Sequence, residues 1–304
     1  MGIVLMKAAS FVMIIVLGYF LKRIGFFKQA DFNLISRMVL NITLPCAVIT
    51  SFEELSLETS LLILVGIGVV CNLVMIGTGY MVSRRRTHTE KAFNMINFSG
   101  YNIGCFTLPY VQNFLGPAGV VATCLFDAGN SVLCTGGTYS IASAVANKEK
   151  TTVAPFLKKM FSSVPMDTYL IMLALSLLHI TLPKGVTSFT GIVGQANGFL
   201  AMLMIGIGFE LQLEKSQVAK ILKAIMIRYG MAVLFAAGFY FLLPLPLEVR
   251  LVLVLIAFAP ISAVCTAFTQ KCGGNVAMSS TLNSLSILIS IVLMTSLMVM
   301  LNMA

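Results

Sequence analysis

Charged residues are scarce in this chain. Only 10% of its 304 residues are Asp, Glu, Lys or Arg, whereas 58% are hydrophobic. Soluble domains carry about 25% charged residues, so this composition excludes a soluble globular domain and indicates an all-α polytopic membrane protein. Long hydrophilic stretches are also lacking, since the longest, between Asn147 and Ser163, has fewer than twenty residues. We therefore expect a single membrane domain.

The motifs of intramembrane enzymes are lacking as well. The sequence contains no H-E-x-x-H motif, no G-x-S-x-G motif and no paired aspartates within the spans that would hold magnesium. The seven cysteines show no paired spacing, and the two histidines, His88 and His179, lie at span ends. One buried carboxylate cannot act as acid and base together. We expect neither an enzyme nor a resident metal or cofactor.

Ten apolar stretches are long enough to cross a bilayer. If the N-terminus lies outside, 17 of the 20 basic residues fall on the cytoplasmic side, and only Lys7, Lys184 and Arg250 fall outside. Basic residues concentrate in short cytoplasmic loops, so we predict a multi-pass protein of the inner (plasma) membrane with both termini outside. Basic loops facing anionic lipid account for the net charge of +9 without a nucleic-acid partner. The spans are 2–21, 30–51, 57–82, 92–114, 117–146, 165–182, 186–209, 218–243, 249–270 and 275–301.

The fourth span carries residues that interrupt a helix. It contains Gly100, Asn102, Gly104 and Pro109; proline lacks an N–H, and glycine is a weak helix former. Backbone groups that lose their partners in hydrocarbon cost several kcal/mol each. Such a break is tolerated where protein or a watered cavity supplies the missing bonds, and in transporters that place is usually the substrate site.

The interruptions recur in the second half of the chain. Pro260 interrupts span nine, 151 residues after Pro109, and Asn41 in span two has a counterpart in Gln195 of span seven. Five spans are an odd number, so a second set of five begins on the opposite side of the membrane. The pattern predicts two inverted five-helix repeats, residues 1–146 and 164–304, joined by a cytoplasmic linker over 147–163.

Five short motifs carry a family resemblance. They are L-N-I-T-L-P in span two, N-x-G-x-x-x-x-P followed by F-L-G in span four, F-D-x-G-N in span five, I-G-I-G-F-E-L in span seven and A-F-A-P in span nine. Together they resemble the auxin efflux carrier family of the bacterial type, which includes malate and malonate permeases and the plant PIN-type carriers. The family is similar in architecture to bile-acid sodium symporters. The resemblance implies that spans four and nine cross at Pro109 and Pro260, with Asn102 beside the substrate or ion. Relatives of this architecture are often dimers, so a homodimer is expected.

A broken helix presents unpaired N–H groups and a positive dipole end to the cavity, which suits a carboxylate. We therefore expect a small carboxylate as substrate. With no arginine or lysine expected at midplane depth, dipoles and amides alone would hold it, which favours a monocarboxylate over a dicarboxylate. The candidate substrate-binding residues are Asn41, Asn102, Gly104, Pro109, Gln195, Pro260 and Ser262.

Asp127 is the main candidate ion-coupling residue, and Asn130 is the second residue of this predicted site. It lies within span five, three residues before Asn130 and so on the same helix face. A lone intramembrane acid often carries a proton or sodium, although a packing pair with Asn130 is the alternative. The sequence thus predicts a secondary active transporter of small organic anions that works by alternating access and is coupled to Na⁺ or H⁺. A channel, because broken helices also line pores, and a sodium-coupled symporter of the bile-acid type are the alternatives.

Overall fold

In this computed structural model, the structure describes residues 2–28, 30–53, 59–147, 163–211, 214 and 216–301. The predicted linker over 147–163 lies outside them apart from its two end residues. Within the described ranges the regular structure is helical, apart from one isolated bridge between Tyr101 and Ile261. The helices are α1 (Gly2–Arg23), α2 (Asp31–Met38), α3 (Leu44–Glu53), α4 (Ile63–Val82), α5 (His88–Phe98), α6 (Leu108–Phe114), α7 (Gly116–Val132), α8 (Thr138–Asn147), α9 (Val164–Leu177), α10 (Lys184–Gly208), α11 (Val218–Leu242), α12 (Leu247–Ala257), α13 (Val264–Lys271) and α14 (Val276–Met300).

Seven of the helical stretches are long and apolar enough to cross a membrane. They are α1, the α2–α3 stretch, α4, the α7–α8 stretch, α10, α11 and α14. The other three predicted spans correspond to the interrupted pairs α5–α6 and α12–α13, and to α9, which has 14 residues. The prediction of an all-helical polytopic membrane protein is confirmed.

Three helical stretches contain a widened π turn. These turns are π1 (Val39–Thr43), π2 (Ile103–Thr107) and π3 (Leu133–Gly137). Pro45 and Pro109 each lie two residues after such a turn. Proline has no N–H for the carbonyl four residues back, and the i→i+5 pairing of the preceding turn accommodates that loss. Span two, which carries Asn41 and Pro45, therefore has a widened turn in a continuous helical stretch.

The helices pack in two groups. In the panel group, α1, α2 and α3 pack against α10, and α3 also packs against α9. The crossing group contains α4 to α8 and α11 to α14, with α4 packed against α5 and α7, and α13 against α5 and α14. The two groups meet where α7 contacts α3 and α9, where α1 contacts α14 and where α10 contacts α6.

Glycines bring α4 and α7 into backbone contact. A Cβ on Gly68 would collide with the carbonyl oxygen of Phe126, and a Cβ on Gly129 would collide with that of Val65. Small residues allow helices in membranes to approach closely. This contact places the N-terminal half of α4 beside the C-terminal half of α7, where Asp127 and Asn130 lie.

Candidate functional site

The two interrupted helices meet at one point. Residues 99–102 separate α5 from π2, and residues 258–263 separate α12 from α13. These non-helical segments, the first break and the second break, run antiparallel, and Tyr101 and Ile261 form a β-bridge. We call this contact the crossing. It pairs backbone groups that the helices leave without partners.

Three predicted site residues come together at the crossing. The backbone N–H of Asn102 donates to the carbonyl oxygen of Pro260 at 2.9 Å, and that of Ser262 donates to the carbonyl oxygen of Gly100 at 3.3 Å. Asn102 and Ser262 are buried. The crossing lies beside Pro260, as the resemblance implies, but eight residues before Pro109, which sits in the first turn of α6. The implied crossing at Pro109 is therefore corrected to Tyr101.

Amide side chains pair the backbone of the first break. Asn130, on α7, accepts from the N–H of Tyr101 at 3.1 Å and donates to its carbonyl oxygen at 3.0 Å. Asn72, on α4, accepts from the N–H of Gly100 at 2.8 Å and donates to Asn130 Oδ1 at 3.0 Å. An amide can donate and accept at once, so two side chains from two helices hold this segment.

Side chains of α14 pair the backbone of the second break. Ser286 Oγ accepts from the N–H of Ile261 at 3.0 Å, and Asn283 Nδ2 donates to its carbonyl oxygen at 2.7 Å. Ser290 Oγ donates to the carbonyl oxygen of Phe258 at 2.6 Å. Two residues thus do for Ile261 what Asn130 alone does for Tyr101.

A guanidinium group joins the two breaks. Arg228, on α11, is only 4% exposed. Its Nη1 donates to the carbonyl oxygen of Phe98, and its Nη2 donates to those of Gly100 and Ala259 at 3.1 Å each. The guanidinium carbon lies 5.1 Å from the centre of the Tyr101 ring. The expectation that no basic residue lies at the breaks is therefore wrong.

Asp127 is attached to the first break through Asn130. Asn130 Nδ2 donates to Asp127 Oδ1 at 2.8 Å, and the hydroxyl of Tyr169 donates to Oδ2 at 2.9 Å. Asp127 is 5% exposed. A Cβ on Gly104 would lie 3.8 Å from Oδ2, so this predicted site residue borders the carboxylate. Because Tyr169 belongs to α9, its bond to Asp127 ties the panel group to the crossing group.

A cavity leads from a basic surface towards the crossing. It has a volume of about 400 Å³ and lies between α5, α11 and the start of α14. Arg86, Lys220 and Lys223 line it, and Lys220 binds Glu90 at 3.0 Å. Phe98, the last residue of α5, also lines it. The cavity therefore carries an excess of positive charge and reaches a residue whose carbonyl binds Arg228.

Asn41 and Gln195 are not brought to the crossing. Both are exposed on the outside of the helix assembly. Their neighbours Thr43 and Asn197 turn inward instead, and Thr43 Oγ1 donates to Asn197 Oδ1 at 3.0 Å. Two residues along an α-helix correspond to about 200° of rotation, so Gln195 and its inward neighbour Asn197 lie on opposite faces of α10.

The sequence analysis left several residues of the site unassigned. Asn72 is a lone amide in the apolar α4, and Arg228 lies eleven residues into α11, so both carried a signal as polar groups deep within a span. Tyr169, Asn283 and Ser286 carried none, since hydroxyls and amides are common at packed helix contacts.

Comparison with known proteins fits this geometry. The chain matches the family model described as membrane transport protein over residues 3–298. A protein named as an uncharacterized transporter, from Methanothermobacter thermautotrophicus, is 24% identical over 246 residues, which make up 77% of each chain. The family match covers nearly the whole chain and confirms the resemblance carried by the motifs. The chain belongs to the membrane transport protein family, that of the auxin efflux carriers.

Proposed function

We propose that this protein is a secondary active transporter of small organic anions that carry a carboxylate, with its substrate site at the crossing. The observation that carries the proposal is the buried charge of Arg228. Its guanidinium contacts both breaks, and within the described ranges no carboxylate lies at ion-pair distance from it. A buried cation without a paired anion favours a negatively charged ligand.

The charge of Arg228 also changes the expected substrate. Without a basic residue at the site, dipoles and amides alone would have to hold a dianion, and a monocarboxylate was favoured. A guanidinium can bind a carboxylate through two parallel hydrogen bonds. We therefore include small dicarboxylates among the substrates, on equal terms with monocarboxylates.

The basic cavity provides a route to this site. Arg86 and Lys223 add positive charge beyond the Lys220–Glu90 pair. A basic cleft with apolar walls raises the local concentration of anions and speeds their entry. In the ten-span topology with both termini outside, which we retain as part of the proposal, this cavity opens to the cytoplasm.

Asp127 is the proposed ion-coupling residue. Its carboxylate binds Asn130 of the crossing group and Tyr169 of the panel group. A proton would neutralise Asp127 and a bound sodium ion would compensate its charge, and either would change its bonds to both groups. Asp127 can therefore link ion binding to relative movement of the panel group and the crossing group, which is the kind of movement that alternating access requires.

Counterflow in proteoliposomes tests the proposal. The preloaded acids are small monocarboxylates and dicarboxylates, with amines of similar size as controls, and a proton or sodium gradient is added in a second series. Wild type should exchange at least one acid and no amine. Replacing Arg86 and Lys223 by Gln should weaken apparent affinity for that acid about tenfold, equivalent to about 1.4 kcal/mol, because the route loses two charges. Asp127→Asn should keep counterflow but lose its response to the gradient.

The control is Lys184→Gln, at the start of α10 and away from the cavity lining, which should match wild type. Exchange of amines in preference to acids would contradict the proposal. Unsaturable flux without counterflow would instead establish a channel.

A further inference from the structure

We propose that the crossing contains a monovalent cation site made of three backbone carbonyl oxygens, and that the side chain of Arg228 permanently fills it. The carbonyl oxygens belong to Phe98, Gly100 and Ala259, and we call them the carbonyl cradle. A small organic cation or an alkali ion would occupy the cradle if the guanidinium were removed. This inference concerns a cation, and it does not depend on the identity of the transported anion.

The cradle forms where two helices end. Phe98 is the last residue of α5, and Ala259 lies two residues after the end of α12. The last carbonyl groups of a helix lack intrahelical partners, and they carry the negative end of the helix dipole. Two such helix ends meet at the crossing, so a positive charge is stabilised there, whether it belongs to a side chain or to a bound cation.

The geometry is that of ligands gathered around one cation. One guanidinium binds three carbonyl oxygens, one at the end of α5 and one in each break, with both bonds from Nη2 at 3.1 Å. Backbone carbonyl oxygens replace the hydration shell of alkali ions in the selectivity filters of channels. The Tyr101 ring, 5.1 Å from the guanidinium carbon, adds a face that attracts cations.

Covalent attachment has a functional consequence. A tethered cation cannot dissociate, so the crossing keeps its positive charge at every stage of a transport cycle. The wild-type protein should therefore need no dissolved cation at this place. An ion-coupling step at Asp127 would be separate, because the carboxylate binds Asn130 and Tyr169, neither of which contributes a carbonyl oxygen to the cradle.

Chemical rescue of Arg228→Ala tests the proposal. Thermal unfolding of the full chain in detergent is measured in guanidinium chloride, at concentrations far below those that unfold proteins. It is measured separately in urea, in sodium chloride and in choline chloride. The Tm of Arg228→Ala should be lower than that of wild type. Guanidinium should recover at least half of this decrease in Tm, because binding to the native state stabilises it. Urea has a similar shape without the charge and should restore none. Wild type should respond equally to guanidinium and choline, since its cradle is filled.

Arg250→Ala is the matched control. The Arg250 guanidinium also donates to a backbone carbonyl, that of Tyr240 at 2.6 Å, and lies 5.8 Å from the ring of the same residue. It contacts one carbonyl in place of three, so no recovery specific to guanidinium is expected. Equal responses of Arg228→Ala to guanidinium and urea, or equal guanidinium responses of the two variants, would overturn the proposal.

A second variant covers the case in which Arg228→Ala does not fold. Arg228→Gln keeps part of the side-chain volume and can donate to a cradle oxygen, but it carries no charge. Its Tm should rise with guanidinium or sodium relative to choline. A Tm of Arg228→Gln that is the same in all three salts would contradict the cation site.

Discussion

The two breaks solve the same backbone problem with different chemistry. In the first break, two asparagines on α4 and α7 pair the N–H groups of Gly100 and Tyr101 and the carbonyl oxygen of Tyr101. In the second, an amide and two hydroxyls on α14 pair the backbone of Ile261 and Phe258. Apart from Arg228, which binds both breaks, the first break is thus held by side chains of two helices that touch each other, and the second by side chains of α14.

The difference also separates the charges. The carboxylate of Asp127 is attached to the first break through Asn130, and no carboxylate is bonded to the second break within the described ranges. Arg228 contacts both. We infer that ion loading is sensed at the first break, whereas the positive charge is shared. A change at the first break should therefore affect both stability and coupling, and a change at the second should affect mainly stability.

Asn130→Ala should give the largest effect. It leaves the N–H of Tyr101 unpaired and removes a partner from Asn72 and Asp127. The carbonyl oxygen of Tyr101 also loses a partner, but it keeps the bond from the N–H of Ile103. Each buried unpaired group costs about 1–3 kcal/mol, so the free energy of unfolding should fall by about 3 kcal/mol or more. SDS-induced unfolding in mixed micelles measures it. Asn283→Ala is the matched change at the second break. The Asn283 side chain has one described hydrogen bond, to the carbonyl oxygen of Ile261, so its loss should lower the free energy of unfolding by about 1 kcal/mol. Equal losses would remove the distinction between the breaks.

Gly100→Ala should have the next largest effect. Gly100 has φ +74°, and a Cβ there would lie 3.2 Å from Cys265 Sγ and 3.3 Å from Ser262 Cβ. The variant therefore combines backbone strain of about 1–2 kcal/mol with crowding at the closest approach of the breaks. Gly25→Ala is the control, with φ +82° and open space around the added methyl. In the same unfolding assay, Gly100→Ala should lower the free energy of unfolding by about 1 kcal/mol more than Gly25→Ala does. Equal decreases would show that the two breaks accommodate the added methyl group without cost.

Tyr169→Phe should have the smallest effect on stability. It removes one hydrogen bond to Asp127, and such bonds between membrane helices contribute about 0.6 kcal/mol on average. Its effect on coupling should be larger, because it cuts the described link from Asp127 to the panel group. Counterflow at a series of pH values, or with and without a sodium gradient, should show a weaker response than in wild type. Tyr229→Phe, which loses bonds only within the crossing group, to Ser286 and Ser290, should keep the wild-type response.

Helix positions could be predicted from the sequence because lipid imposes a minimum apolar length. The stretch predicted as 186–209 is the helix Lys184–Gly208, and 218–243 is Val218–Leu242. The position of the first break was predicted less well. The family resemblance implies a crossing at Pro109, but a proline after a π turn is accommodated in the helix, and the non-helical segment contains Gly100 and Asn102 instead.

Side-chain direction could not be predicted where helix rotation decides it. Asn41 and Gln195 were chosen as polar residues near the middle of spans, and both point outward. Arg228 lies within the predicted span 218–243, and it was counted only as one of the basic residues on the cytoplasmic side, by the rule that such residues cluster there. That rule counts charges and does not consider tertiary contacts. The carbonyl cradle that binds Arg228 forms only when two segments far apart in the sequence come together.

The π turn between α7 and α8 gives the chain a particular sensitivity to length. A π turn holds one residue more than the α-helical turn it replaces. The segment also contains a kink, because Gly136 has φ 157°. A single-codon deletion within Leu133–Gly137 would remove one residue between Asp127 and α8 and would rotate α8 by about 100° about its axis. Since α8 packs on α5, such a deletion would turn a different face of α8 towards α5, even though it preserves the reading frame of the gene.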